Sequence, residues 1–205
     1  MSWQVWVAFF GASWVISLSP GAGAIASMTT GLNHGFLRGY WNILGLQLAL
    51  LLQIAIVAAG VGALLAGSTT GFMLVKWFGV AYLAYLGVRQ WRSKPDPVTA
   101  ESAPDRASAA GLVLRAFLVN SSNPKAIVFM LAVLPQFLDP AAPLWPQYAL
   151  IAATMVVVDT IVMTGFTGLA ARVLRLLRSP RQMQLTSRVF ATLFFAAAAA
   201  LATAV

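Results

Sequence analysis

Long apolar runs dominate the chain, and the polar positions between them are short. Taking about 20 consecutive apolar residues as the length that crosses hydrocarbon, the pattern predicts helices over residues 3–27, 39–65, 72–91, 112–134, 148–171 and 189–205. The last is the shortest. Aromatic residues mark several ends, with Trp3 and Trp6, Tyr40 and Trp41, Trp77, Trp91, and Trp145 with Tyr148, as an interfacial belt requires. Two of the runs are interrupted alike: Ser17-Leu18-Ser19-Pro20-Gly21-Ala22 in the first and Ser121-Ser122-Asn123-Pro124-Lys125-Ala126 in the fourth. Proline removes a donor and displaces a carbonyl, so each break frees backbone polar groups that hydrocarbon cannot satisfy. Protein, water or a small solute must meet them. A matched pair of breaks in two halves is the pattern of a central solute site.

Charge in the connections sets the topology. Arg38 ends the first connection. Arg89, Arg92, Lys94, Arg106 and Arg115 lie in or beside the third, and Arg172, Arg175, Arg178, Arg181 and Arg188 belong to the fifth. The second connection, 66–71, has no basic residue, and the fourth, 135–147, carries only Asp139. By the positive-inside rule the odd connections are cytoplasmic and both termini face outward. Loss of the sixth helix would move the C-terminus inside and leave the other five in place. The polar, proline-punctuated stretch 93–110 reads as a cytoplasmic linker. The predicted fold is therefore an all-α integral membrane protein of six transmembrane helices in two inverted groups of three, with proline-broken first and fourth spans. It forms one transporter domain, 1–205, made of a first half 1–92, a linker 93–111 and a second half 112–205. Shifting the first half by 104 residues aligns the two proline breaks and roughly overlays the second helix on the fifth; the third and sixth overlay poorly.

Composition narrows the chemistry. Sixty per cent of the residues are apolar and 9% charged, against about 25% charged in soluble domains. With no cysteine and one histidine, the chain lacks a disulfide framework, a thiol nucleophile and the usual zinc sets. No cofactor or metal is expected. The net charge of +8 sits in short connections rather than on a soluble basic face, so it reads as a topology signal and not as a nucleic-acid surface. Ala22-Gly23-Ala24 resembles a signal-peptidase site, but no Lys or Arg precedes the apolar run and the run is too long. It is taken as a helix.

Asp159 is the strongest candidate for chemistry, set among Val156, Val157, Val158, Thr160, Ile161 and Val162 near the middle of the fifth span. Such a carboxyl can be protonated when dry and ionised when water or a cation reaches it, which is what proton coupling needs. A purely structural ion pair is the alternative. Thr160, Met163, Thr164 and Thr167 continue a polar stripe from it. Lys125 either snorkels to the cytoplasmic surface, binds a solute carboxylate, or serves as counter-ion to Asp159. Asn120 and Asn123 add amides beside it. In the first break Gly21 and Gly23 let the backbone leave helical geometry, and Ser17 and Ser19 can bond the freed carbonyls; a packing kink explains this segment equally well. Asn42 and Gln53 share a face of the second helix while Gln47 points elsewhere; Asn42 either lines the pathway or cross-links helices. His34 reads as a turn residue and Lys76 as a snorkelling one. The alanine run 196–200 offers a small-residue surface for packing within the protein or between copies, a homo-oligomer being one outcome.

At these residues the chain resembles the LysE/RhtB superfamily of bacterial amino-acid exporters, and within it the homoserine and homoserine lactone exporters. The resemblance rests on SLSPGAGAI followed by GLNHG, VKWFGVAYLAYLGVRQW, FLVNSSNPKAIVFMLAVLPQF and VVVDTIVM, in that order over nearly the whole length. It implies a translocation path through Ser19, Pro20, Gly21, Gly23, Asn120, Asn123, Pro124 and Lys125, and efflux from the bacterial inner membrane driven by the proton motive force. Where the family often has Pro-Gly-Pro, this chain has Ala22 in place of the second proline, which implies a milder kink.

The leading expectation is a secondary exporter of small neutral amino acids and derivatives such as homoserine, threonine or homoserine lactone. Lys125, the Asn side chains and freed N–H groups would take the carboxylate or lactone carbonyl, and Asp159 the ammonium or the coupling proton. The expected partners are thus a small solute, protons and membrane lipid, with no nucleic acid. Export of lysine or arginine is the alternative, although a dibasic solute wants a second acid that the inner spans lack. A passive channel or structural membrane subunit comes next. An intramembrane hydrolase would need a nucleophile with a base, or two facing aspartates, which the spans do not supply.

Overall fold

A computed structural model describes residues 1–65, 69–92, 107–170 and 180–203. Most of the predicted linker, with Lys94 and Arg106, half of the second connection, and Arg172, Arg175 and Arg178 of the fifth lie outside the described residues. The described elements are all helical. They are α1 (Trp3–Leu18), α2 (Ala22–His34), α3 (Phe36–Leu65), α4 (Thr69–Trp91), α5 (Ala109–Ser121), α6 (Pro124–Val128), α7 (Leu144–Gly168) and α8 (Pro180–Thr203). A π turn, Phe129–Val133, and a 3-10 turn, Leu134–Phe137, continue α6.

The helix ends follow local chemistry. Ser2 caps α1 by accepting from the Val5 N–H at 3.3 Å, and Ser108 caps α5 by accepting from the Gly111 N–H at 3.1 Å. One residue, Gly35, separates α2 from α3, and its φ of 84° explains why glycine stands there. The helices run past the apolar spans at several ends: α2 reaches His34, and α8 begins at Pro180 rather than near 189. Hydropathy measures what hydrocarbon tolerates, whereas the helix continues until a cap or glycine stops it.

Phe36–Gly60 and Leu144–Gly168 are each long and apolar enough to cross a membrane. Two bent pairs pass the same test together, α1 with α2 at 56° and Ala109–Ser121 with Lys125–Phe137 at 61°. Counting each pair as one span gives four candidate spans among the described residues. Trp3, Leu37, Leu74 and Trp145 are all more than two-thirds exposed, a surface suited to lipid rather than water.

The long α3 is the central helix, packed against α2, α5 and α7, while α4 pairs with α8. Close approach is built in at Gly45, where a β-carbon would collide with the Val113 carbonyl of α5, and at Gly39, where it would strike the Thr167 side chain of α7. Buried side chains form two clusters. One gathers Phe9, Leu50, Ile54, Leu83, Met130, Leu134, Ile151 and Phe194; the other gathers Ala24, Met28, Ile43, Leu46, Ala116, Val158 and Val162. Helix α3 contributes to both, and the functional candidates lie where they meet.

Candidate functional site

The first break begins with a missing donor. In an α-helix the N–H of residue 20 would serve the carbonyl of residue 16, but Pro20 has none. The Ile16 carbonyl is met instead by Lys125 Nζ, at 3.0 Å, and the same ammonium donates to the Ser19 carbonyl at 2.6 Å. Gly21 makes room for it, since a β-carbon there would stand 3.3 Å from Nζ.

The second break repeats the logic with other atoms. Pro124 cannot serve Asn120, whose carbonyl accepts from Gln53 Nε2 at 2.8 Å and from the Asn123 N–H at 3.1 Å. Asn123 then caps α6, its Oδ1 accepting from the Lys125 N–H at 3.1 Å, with Pro124 in the first turn. In both breaks the carbonyl four residues before the proline is satisfied by a side chain from a distant part of the chain.

Between the breaks lies a cavity of about 50 Å³. Of the residues singled out from the sequence, Ser17, Ser19, Gly21, Gly23, Asn120, Asn123, Lys125 and Asp159 line it. Ile16, Leu46, Leu50, Phe129, Met130, Met155 and Met163 supply apolar wall, drawn from both hydrophobic clusters. Asp159 accepts a hydrogen bond from Gln47 Nε2 at 2.7 Å. Lys125 is held by carbonyls and Asp159 by an amide, so the two charges share one cavity through these intermediaries. The Ser17 hydroxyl lies against Asp159, and the Ser19 hydroxyl is buried without a protein hydrogen bond. Buried donors of this kind are costly unless a solute or water completes them.

Other predicted residues have different surroundings. Asn42 lies off the cavity wall: its Nδ2 donates to Ser27 Oγ at 3.0 Å and its Oδ1 accepts from Thr30 Oγ1 at 3.4 Å. That is the cross-linking alternative. Thr164 and Pro20 are also absent from the cavity lining; the prolines act by the bonds they fail to make. Asn120 and Asn123 line the cavity but already have protein partners, Asn120 Nδ2 donating to the Leu46 carbonyl at 3.0 Å. Gln47 is the residue that sequence reasoning passed over. It points away from Asn42 and Gln53, as expected, but a central helix is buried on several sides, and that other side faces Asp159.

A bundle of long apolar helices, with two bent pairs around a small cavity that holds one ammonium and one carboxylate, has the architecture of a membrane transport protein. The LysE type translocator family model matches residues 14–204, and the chain belongs to that family. It is a translocator of the amino-acid efflux type, a multi-pass membrane protein and not an enzyme. It is similar to an uncharacterized membrane protein of Vibrio cholerae, at 42% identity over 100% of this chain and 99% of the relative. Similarity to a homoserine/homoserine lactone efflux protein of Salmonella typhi is 41%, over 100% of this chain and 98% of that one. A leucine efflux protein of an Enterobacter species is 26% identical, over 96% of this chain and 94% of the relative. No solved structure matches the chain.

Proposed function

We propose that this chain exports small neutral amino acids and derivatives, homoserine and homoserine lactone foremost, from the cytoplasm across the bacterial inner membrane by proton antiport. The observation that carries this reading is the convergence of two broken helices, one ammonium and one carboxylate on a single cavity. A zwitterion meets both signs of charge there, and an amino lactone uses the groups that receive its ammonium. The homoserine/homoserine lactone efflux relative supports that solute class. Export of basic amino acids is the weaker reading, because it brings a second cation against Lys125 with only Asp159 to answer it.

Six spans in two inverted groups of three remain the arrangement we propose. It is supported by the contacts, since α3 packs on α5 and on the π turn after α6 as α7 packs on α1 and α2, the exchange that a 104-residue shift produces. Asp159 is assigned the coupling proton. Gln47 Nε2 donates to its carboxylate at 2.7 Å, and Lys125 borders the same cavity. A cavity of about 50 Å³ holds a few waters, at roughly 10–15 Å³ of such volume each, and is too small for an amino acid. Solute entry therefore requires the broken helices to part. The test is flux in proteoliposomes with a panel of neutral, basic and lactone substrates under an imposed pH gradient. Neutral amino acids and the lactone should move and collapse of the gradient should stop them; preferential movement of lysine or arginine would favour the alternative.

A further inference from the structure

We propose that the Ile16 and Ser19 carbonyls form the seat of the solute's α-ammonium group, and that Lys125 fills this seat as an internal surrogate until the solute displaces it. The proposal rests on the exporter reading above and names the group by which the solute is recognised.

The two carbonyls stand at the C-terminal end of the 16-residue α1, where the helix dipole is negative and cations are favoured. Ile16 lacks its ordinary donor because residue 20 is proline, so the acceptor exists only because the helix is broken there. Lys125 Nζ bonds both oxygens, Ile16 at an ordinary 3.0 Å and Ser19 at 2.6 Å, the second as short as charge-assisted bonds are. A primary α-ammonium presents the same three donors as a lysine ammonium. Gly21 leaves the approach open, and Ile16, Ser19 and Gly21 all border the cavity.

The second break has no such seat. Its freed carbonyl, on Asn120, receives an amide donor from Gln53 and nearby backbone N–H groups, none of them a cation. The breaks are therefore alike in origin and unlike in chemistry.

Homoserine and homoserine lactone differ at the carboxyl end, one carrying a carboxylate and the other a neutral ester. Their shared charged group is the α-ammonium. A site that accepts both is anchored by the amine, and Lys125, once displaced, meets the carboxylate of homoserine but finds no anion on the lactone. Displacement also removes the tie between the two breaks, so solute entry and separation of the broken helices become one event.

The experiment measures binding to the full-length protein in detergent by ligand-induced thermal shift, for homoserine, homoserine lactone and N-acetylhomoserine lactone, in wild type and Lys125→Met. Wild type should bind the lactone at least about tenfold more tightly than its N-acetyl form, which has no ammonium. Lys125→Met removes the competing cation, so lactone affinity should rise by about tenfold while homoserine, losing its carboxylate partner, gains less. Unchanged or weaker lactone binding in Lys125→Met would overturn the seat. Should that variant not fold, the wild-type comparison decides, and equal binding of the two lactones would overturn it. A gain in Lys125→Met without gradient-driven flux in wild type would retain the seat and reject the exporter reading; flux without the gain would do the reverse.

Discussion

Lys125 Nζ lies 3.0 Å from the Ile16 carbonyl oxygen, the acceptor that a non-proline residue at position 20 would serve with its own N–H. A side chain 109 positions away along the sequence thus replaces a backbone bond inside the first helix. Gln53 does the same for Asn120 at the second break. Two helices that look locally defective are each completed by tertiary contacts, and this ties the breaks to one another and to the cavity between them.

That relation predicts a rescue. Gln53→Leu leaves the Asn120 carbonyl with nearby backbone N–H groups alone, and should cost about 1–2 kcal/mol in unfolding measurements in micelles. Pro124→Ala supplies the missing backbone donor. The double variant should therefore recover most of the stability lost in Gln53→Leu while solute transport stays weak, because the fourth segment has straightened. Additive losses in a double-mutant cycle would mean that Gln53 acts elsewhere.

Replacing Gln47 tests the partner of Asp159. Gln47→Leu removes the 2.7 Å donor to the carboxylate, an interaction of about 1.5–3 kcal/mol for a charged acceptor. Gradient-coupled efflux should fall by roughly tenfold or more at equal amounts of inserted protein. Full activity in this variant would show that the amide is a packing element.

Helix packing gives a third expectation. Gly45→Val should destabilise the bundle by about 1–3 kcal/mol, since its β-carbon meets the Val113 backbone of α5. Gly165→Ala, on α7, meets nothing within 4 Å and should leave the melting temperature unchanged or raise it slightly. Thermal unfolding of both purified variants checks the contrast.

Much of this architecture was legible in the chain because lipid imposes a one-dimensional rule: apolar length makes a helix, and proline within it frees backbone. The two breaks and the midspan acid, Asp159, follow from that rule. Partner choice does not. Lys125 follows Pro124, yet its ammonium reaches back to Ile16 and Ser19, which no local pattern encodes. Asn42 reads equally as a pathway residue or a helix cross-link, and only the structure shows its bonds to Ser27 and Thr30. Gln47 was hidden because one-face reasoning suits a helix with one buried side, and α3 is buried on several. The π and 3-10 turns after α6 were likewise invisible, since apolar composition does not distinguish them from an α-helix.

The most direct test of coupled export is net transport of labelled homoserine in proteoliposomes driven only by an imposed pH gradient, comparing wild type with Asp159→Asn. The amide keeps the shape of the side chain but cannot gain or lose a proton. Wild type should accumulate solute against its gradient, and Asp159→Asn, inserted to the same level, should carry it downhill at most. Uphill accumulation by Asp159→Asn equal to that of wild type would contradict the account.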